Sequence, residues 1–96
     1  MDDFILLMQD DGAAPQSDAW PGYFAMLRDR GVFAGGSAIG VGKAFRKAGT
    51  PGQPSERLSG FIRVRAASLA DAEALLIGNP VFEAGGTVEI RALPRD

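Results

Sequence analysis

The stretch from Leu58 to Leu93, LSGFIRVRAASLADAEALLIGNPVFEAGGTVEIRAL, decides the fold because it carries the clearest element boundaries in the chain. Residues 60–65 alternate small or aliphatic side chains with Phe or Arg, and residues 87–91 alternate in a similar way. A period of two is typical of a strand with one face on a core. Between these strands, apolar residues recur at helical spacing over residues 69–76. We therefore predict a strand, a helix and a strand, in that order.

Four residues mark the ends of the predicted helix. Ser68 can cap its N terminus, with Asp71 three residues later, which is close to a capping box. At the other end, Gly78 can adopt the left-handed conformation in which helices often terminate. Pro80 then prevents the helix from continuing.

The first half of the chain predicts the same order of elements. Residues 4–8 (FILLM) form a short apolar run that fits a central strand covered on both faces. After a polar loop over residues 9–16, Ser17 or Asp18 can cap a helix that ends at Gly31. Apolar side chains form one stripe on that helix, namely Trp20, Tyr23, Phe24 and Leu27.

Residues 32–47 (VFAGGSAIGVGKAFRK) predict another strand, which bends at its glycines. Residues 48–56 have the composition of a turn and join this strand to the next as a long hairpin. The complete order is βαββαβ, which predicts an α+β, ferredoxin-like fold with a four-stranded antiparallel sheet. Right-handed crossovers place the first strand between the third and fourth, and the third between the first and second.

One face of this predicted sheet has no helix to cover it. It would carry one parity of the apolar first strand together with Phe61, Arg63, Arg65, Thr87, Glu89, Arg91 and Leu93. Apolar patches of this kind commonly mark interaction surfaces. We therefore predict a homodimer that packs this face against a second copy, with Phe61 and Leu93 at the interface.

Length and composition limit the class of protein. Ninety-six residues indicate a single domain, residues 1–96, whose small core would gain from a partner subunit. The net charge of −2, without a basic patch interleaved with aromatic residues, argues against nucleic-acid binding. No apolar run reaches the roughly 18 residues of a membrane span, and the acidic start MDDF is unlike a signal peptide. These features predict a cytoplasmic protein with no membrane partner.

The chain contains neither cysteine nor histidine, which excludes disulfides, thiolate nucleophiles, zinc–sulfur sites and imidazole chemistry. Its glycine-rich stretch Gly35–Lys43 does not match a phosphate loop. Ser37 stands where the first glycine of that motif is needed, and Ala44 stands where Ser or Thr would bind magnesium. Bends in a strand, or close approach to a neighbouring strand, explain these glycines better. We predict no cofactor and no metal.

Several side chains are candidates for ligand binding, and each has a plainer explanation. Trp20 and Tyr23 could line a pocket for a flat organic ligand, or they could anchor the first helix to the sheet. Arg63 and Arg91 could hold an anionic ligand. Alternatively, they could pair with Glu89 across a subunit interface or remain in solvent.

No catalytic residue is assigned. Asp10 and Asp11 are adjacent acids on a loop without a third metal ligand, which favours a solvated loop. The serines have no evident base to activate them as nucleophiles. If the chain is an enzyme, the candidate base is Glu89. Ser37 and Tyr23 would orient the substrate, and Arg63 would hold an anionic group.

Several segments together suggest a family: FILLM, the Trp-led helix that ends at Gly31, GGSAIG, LSGFIRV, GNPVFEAGG and TVEIRALP. Over nearly the whole chain they resemble the YCII-related domain family, also called the DGPF-motif family. The C-terminal segments are the most specific, because GNP, the GG turn and VEIR follow in the family's order. The resemblance implies a ferredoxin-like fold of the dimeric α+β barrel type, with two sheets packed face to face. It also implies a small bacterial protein.

Some members of that family carry a His and an Asp proposed as a catalytic pair. This chain has no His, and Gly36–Ile39 stand where the family's name motif reads Asp-Gly-Pro-Phe, so no catalytic role is transferred. One hypothesis is a homodimeric module that binds a small organic molecule or serves as an accessory to another protein. The alternative is a cofactor-free enzyme, of isomerase, lyase or oxygenase type, acting on a small anionic or aromatic substrate. That alternative rests on analogy of fold.

Overall fold

A four-stranded antiparallel sheet organises the protein, whose computed structural model describes residues 1–95. The strands are β1 (Asp2–Gln9), β2 (Phe33–Ala38), β3 (Leu58–Ala66) and β4 (Val88–Leu93), and they lie in the order β2-β3-β1-β4. This is the order that right-handed crossovers predict for a βαββαβ chain. The predicted α+β, ferredoxin-like fold is confirmed.

The structure differs from the prediction at the N terminus of the first helix and at the C terminus of the second. Helix α1 (Trp20–Asp29) begins after a 3-10 turn (Ser17–Ala19), and no side chain caps it, so the expected cap at Ser17 or Asp18 is wrong. The end of the helix is as expected, since Gly31 has a φ of 69°.

Helix α2 (Leu69–Ala74) is followed by a short helix α3 (Pro80–Glu83) that the sequence analysis did not predict. Helix α2 ends at Ala74 with Leu75 as its C-cap, earlier than the predicted end at Gly78. Pro80 is a favourable first residue for the new helix. Gly78 separates the two helices with a φ of 88°.

The second strand is much shorter than predicted. Pairing with β3 ends at Ala38, and residues 39–57, which we call the β2–β3 arm, form neither helix nor strand. Glycine weakens strand interiors, and the arm has glycines at positions 40, 42, 49 and 52. The arm also buries no side chain, so no packing compensates for that weakness.

The core lies on the sheet face that the helices cover, which we call the helix face. Phe4, Leu6 and Met8 point to this face from the central strand β1. They pack with buried side chains of α1, α2, α3 and β3, namely Tyr23, Leu27, Ala72, Leu75, Val81, Ile62, Val64 and Ala66. Full burial of one large aliphatic side chain stabilises the fold by about 1.5–3 kcal/mol, so these contacts fix both helices on the sheet.

The opposite face of the sheet, which we call the open face, carries no helix. The register places Ile5 between Arg63 and Arg91, and Leu7 between Phe61 and Glu89. Four apolar side chains there are only half-buried: Ile5, Leu7, Phe61 and Leu93. The strand alternation read from the sequence therefore assigned these residues to the correct face.

Two side chains cap the helices after β3. The Ser68 hydroxyl accepts a hydrogen bond from the Asp71 amide at 3.2 Å, at an exposed position. The Asn79 Oδ1 atom accepts from the amides of Val81 and Phe82 at 3.0 and 3.1 Å, and Asn79 is fully buried.

We predict that Asn79→Ala costs more stability than Ser68→Ala. The loss of an exposed cap costs about 1 kcal/mol, whereas Asn79→Ala leaves two amides without their acceptor and should cost about 2 kcal/mol. Urea melts give both values. Ser68→Thr is the matched control, because it keeps an acceptor oxygen and should stay within about 0.5 kcal/mol of the native protein. A larger loss for Ser68→Ala than for Asn79→Ala would contradict this account.

Candidate functional site

A cleft of about 570 Å³ opens on the helix face, between α1 and the strands β2 and β3. Small-molecule sites commonly have volumes of about 300–1,000 Å³, so this cleft has the size of a ligand site. Pro15, in the loop after β1, and Val81, in α3, border it at its ends. The remaining lining residues are Met8, Trp20, Phe24, Arg28, Phe33, Gly36, Ser37, Ala38, Ser59, Gly60, Phe61 and Ile62.

The floor of the cleft consists largely of backbone. Gly36 pairs with the buried Ile62, and Gly60 lies two residues before Ile62, so both glycines belong to the helix face. A Cβ atom at Gly36 would lie 2.6 Å from the carbonyl oxygen of Phe61, and one at Gly60 would lie 3.2 Å from Met8 Cε. Glycine therefore permits the close approach of β2 to β3, and the missing side chains leave the cleft open.

Three aromatic rings form the wall of the cleft. The rings of Trp20 and Phe24 stack at a centroid distance of 5.6 Å with 23° between their planes. Phe24 meets Phe33 edge to face at 5.5 Å. Such aromatic contacts hold the rings in fixed orientations, which suits the recognition of another flat ring.

Arg28 supplies the charge of the cleft. Its guanidinium carbon lies 5.1 Å from the Phe33 ring centre and 6.0 Å from that of Phe24. Cation–π contacts of this kind hold an arginine side chain over an aromatic surface. Among the described residues that line the cleft, Arg28 alone carries a charge. The electrostatics of the cleft therefore favour an anion.

Tyr23 lies in the core next to the cleft but is not one of the lining residues. Its hydroxyl donates a hydrogen bond to the Leu75 carbonyl at 2.7 Å, which connects α1 to the end of α2. Burial raises the pKa of Tyr23 above 10.0, and the nearby side chain of Asn79 partly offsets that rise. The Asn79 amide nitrogen makes no hydrogen bond to Tyr23, and among residues 1–95 this buried atom has no hydrogen-bond partner. Of the predicted aromatic pair, Trp20 lines the cleft and Tyr23 anchors the helix.

Arg63, Arg91 and Glu89 belong to the open face, on the opposite side of the sheet from the cleft wall. Arg91 Nε donates to Glu89 Oε2 at 2.7 Å, and both side chains are partly exposed. Among residues 1–95, Arg63 forms no ion pair. The structure therefore places Arg63, Arg91 and Glu89 on one face, where only Arg91 and Glu89 are seen to contact each other, and separates all three from Trp20.

Ser37 borders the cleft at the end of β2, where its hydroxyl donates to the Ala38 carbonyl at 2.9 Å. The cleft lining contains no carboxylate that could accept a proton from it. The predicted enzyme residues Glu89, Ser37, Tyr23 and Arg63 are thus distributed over the open face, the cleft border and the core. Within one chain they do not form a single catalytic group.

Asp11 ties the loop after β1 to the start of β4. Its carboxylate accepts hydrogen bonds from the Thr87 hydroxyl at 2.6 Å and the Thr87 amide at 2.7 Å. These bonds, the hydroxyl first, lower the pKa of Asp11 below its ordinary 3.8. Gly12 then packs so closely on Gly86 that a side chain would not fit. Asp11 therefore holds the loop that leads to the cleft border at Pro15.

Within residues 1–95, no three His, Cys, Asp or Glu side chains come together as a metal site would require. In the same part of the chain, no helix has the length and apolar character needed to cross a membrane.

Sequence reasoning missed Phe24, Arg28 and Phe33 as site residues. A signal was present, because Trp20, Phe24 and Arg28 follow one another at intervals of four residues and therefore share one helix face. Phe33 could not be placed in this way, because its position depends on the register of β2 against β3.

Comparison with known proteins identifies the fold but not a family. No protein-family model and no curated protein sequence matches the chain. Its structure is similar to "5-chloro-2-hydroxyhydroquinone dehydrochlorinase (TftG) from Burkholderia phenoliruptrix AC1100: Complex with 2,5-dihydroxybenzoquinone", with a TM-score of 0.56. The two chains are 17% identical, and the match covers 98% of this chain and 95% of the other. At this identity the likeness shows the α+β fold alone.

We predict that Thr87→Val raises the pKa of Asp11 toward 3.8 but leaves it below that value. The substitution removes the hydroxyl donor, which lowers the pKa most, and keeps the amide donor. Carboxyl-carbon NMR titration of both proteins measures the two values. An unchanged Asp11 pKa would mean that the hydroxyl does not hold the carboxylate.

The same hydrogen bonds predict a pH dependence of stability. Because folding lowers the pKa of Asp11, its contribution is fully present above about pH 3.8 and is lost as pH falls through the lower folded-state value. Asp11→Asn should therefore be less stable than the native protein at pH 6, and the difference should shrink in acid. Asp10→Asn, at the exposed neighbouring position, is the control in the same urea melts. A difference that grows below pH 3.8 would contradict the assignment.

Proposed function

We propose that this chain is a YCII-related protein that binds a small, flat, anionic aromatic or quinonoid molecule in the cleft beside α1. The observation that carries the proposal is the chemistry of the cleft: a wall of three aromatic rings, and a lining with one guanidinium and no carboxylate. A flat ligand would stack on the wall formed by Trp20, Phe24 and Phe33. Its anionic oxygen would accept hydrogen bonds from Arg28.

The similar protein TftG supports this class of ligand, because its structure is a complex with 2,5-dihydroxybenzoquinone. That molecule is a flat ring with acidic hydroxyl groups, the class that the cleft of this chain suits by its own chemistry. The family name is part of the proposal and rests on the segments from FILLM to TVEIRALP together with the shared fold.

Binding, rather than catalysis, is the function that the cleft favours. General acid–base catalysis needs a titratable group within hydrogen-bond reach of the reacting atoms. The lining offers the hydroxyls of Ser37 and Ser59 and the Arg28 guanidinium, and none of these is a base near neutral pH. We propose a cytoplasmic binding or accessory module of one domain, residues 1–96, without a cofactor.

A cofactor-free enzyme remains the second candidate because TftG, with the same fold, is a dehydrochlorinase by name. Such an enzyme would need a base that reaches the cleft, and within one chain Glu89 lies on the other side of the sheet. The same binding experiment separates the two candidates, since an enzyme would convert the bound compound.

We predict saturable binding of 2,5-dihydroxybenzoquinone, measured by titration calorimetry and by quenching of Trp20, the single tryptophan of the chain. Arg28→Gln should weaken binding at least about tenfold, because a hydrogen bond to a charged group contributes about 1.5–3 kcal/mol. Arg30→Gln, at an exposed arginine near the same helix end, is the matched control and should bind like the native protein. Equal affinities for Arg28→Gln and Arg30→Gln would remove the cleft from consideration. Conversion of the compound, followed by mass spectrometry, would favour the enzyme.

The open face is the second part of the proposal, as the surface of a homodimer. Its half-buried Ile5, Leu7, Phe61 and Leu93 form an apolar centre on the sheet. Charges of both signs surround that centre, including Arg63, Arg65, Arg91, Asp3 and Glu89. A two-fold interface brings one surface against itself, so a patch with both signs can be self-complementary.

We predict that the native chain sediments as a dimer at micromolar concentration and that Phe61→Asp sediments as a monomer or unfolds. Burial of an unpaired carboxylate in an apolar interface is strongly unfavourable. Ala25→Asp, at an exposed position on α1, is the control and should remain dimeric. A native monomer, or a Phe61→Asp dimer as stable as the native one, would place the interface elsewhere.

A further inference from the structure

Exposed apolar side chains concentrate on two surfaces outside the cleft and the open face. Apart from Met1, the large exposed hydrophobic residues of the described chain fall into two groups of three. One group is on the β2–β3 arm: Ile39, Val41 and Phe45. The other is on the helices after β3: Leu69, Ile77 and Phe82. Exposed apolar groups of this kind commonly mark interaction surfaces.

The β2–β3 arm combines apolar and basic side chains. Val41 and Phe45 are almost fully exposed, at 108% and 83%. Lys43 Nζ lies 5.9 Å from the Phe45 ring centre, so these two side chains contact one another rather than the body of the protein. Over residues 39–55 the chain has three basic residues, Lys43, Arg46 and Lys47, and no acidic one. Connections this long without regular structure are commonly functional.

Leu69 and Phe82 of the second group line a groove of about 470 Å³, which we call the α2–α3 groove. Its lining consists of Leu69, Glu73, Leu76, Phe82, Val88 and Ile90. Between Arg65 and Arg91 the sequence contains Asp71, Glu73, Glu83 and Glu89 but no basic residue. The first three of these acids lie on α2 and α3. The groove lining is therefore apolar apart from Glu73, and the helices that border the groove carry acidic residues but no basic one.

The charges of both surfaces lack an opposite charge within residues 1–95, although Glu83 accepts a hydrogen bond from the Gly78 amide and Arg46 donates one to the Thr50 carbonyl. Among residues 1–95, none of Lys43, Arg46 and Lys47 forms an ion pair, and neither do Asp71, Glu73 and Glu83. The two surfaces are thus complementary in charge and alike in apolar content. The net charge of −2 for the whole chain conceals this segregation.

We propose that the α2–α3 groove binds the β2–β3 arm of a second copy of the chain. Phe45 and Val41 insert between Leu69, Leu76 and Phe82, while the basic residues of the arm pair with the acids on the groove border. The occupant belongs to another copy because the arm extends from β2, the groove is bordered by β4, and these strands form opposite edges of the sheet. A reciprocal exchange of arms around the two-fold axis of the proposed homodimer satisfies both grooves at once.

The contact also covers an edge of the sheet. β4 is an edge strand, and its residues Val88 and Ile90 line the groove. An arm beside them would shield an edge that is otherwise open to pairing with other strands. This inference does not depend on what the cleft binds, because the groove and the cleft share no lining residue.

Cross-linking between two single-cysteine variants tests the contact directly, because the native chain has no cysteine. Ala48→Cys places one thiol on the arm, and Leu69→Cys places one in the groove. An equimolar mixture, treated with a short bismaleimide at micromolar protein, should give a cross-linked pair containing one of each variant. A docked arm has an effective concentration near millimolar, so this pair should form at least about tenfold faster than in the control mixture. The control mixture is Ala48→Cys with Ala25→Cys, whose thiol is on the exposed surface of α1.

The outcomes separate the proposal from its alternatives. Equal rates for the groove and control mixtures would overturn it. A second outcome would also overturn the proposal: the Ala48→Cys, Leu69→Cys double variant cross-links rapidly within one chain, while the mixed single variants react slowly. In that case the arm would occupy the groove of its own chain. Saturable binding of the arm to anionic lipid vesicles, with no groove cross-link, would assign the arm to a membrane surface and would also overturn it.

Charge exchange on the same cysteine background tests the complementarity with exposed side chains, whose replacement leaves the core intact. Lys43→Glu with Lys47→Glu should slow the cross-link about threefold to fivefold at low salt, since exposed ion pairs contribute up to about 1 kcal/mol each. Glu73→Lys in the groove partner should restore part of the rate. Phe45→Ser should slow it at least about tenfold, because buried aromatic anchors dominate interfaces. A charge-reversed arm that cross-links as fast as the native arm would remove the electrostatic basis of the proposal.

Discussion

Strand β1 has neighbours on both edges, β3 and β4, and apolar side chains on both faces, so water must be excluded from it on every side. On one face this constraint is satisfied within the chain, where Phe4, Leu6 and Met8 contact the side chains of α1 and α2. On the other face Ile5 and Leu7 are only half-buried. The single chain therefore covers one side of its central strand and leaves the other side partly exposed.

The sequence predicted the parts of the fold that depend on periodicity and on special residues. Alternation along Leu58–Ala66 and Val88–Leu93 correctly separated the two faces of the sheet, and Gly31 marked a real helix end, whereas α2 ends before Gly78. Errors arose where local patterns had two solutions. Pro80 reads equally well as the end of one helix and the start of another, and only the buried Asn79 decides between them.

The cleft was harder to predict, because its floor consists of glycines without side chains and its shape depends on how β2 pairs with β3. The alternation of residues along a strand predicts which face each side chain occupies. Gly36 and Gly60 have no side chain, so alternation gives no sign of a cleft there. Trp20 was identified as a candidate because it is a large aromatic residue with a polar group. Arg28 lies in the last turn of α1, where an arginine is electrostatically favourable, and its position over Phe33 depends on the fold of β2.

Because the floor of the cleft is backbone, it limits how proteins that share this sheet can differ from one another. A side chain at Gly36 would collide with the neighbouring strand β3, so the shape of the floor depends on the pairing of β2 with β3. The wall positions Trp20, Phe24 and Arg28 lie on one face of α1, and none of them belongs to a strand of the sheet. The shape of the floor and the chemistry of the wall are thus set by different residues. Proteins with the same sheet can therefore differ in the wall, and the floor keeps its shape in all of them.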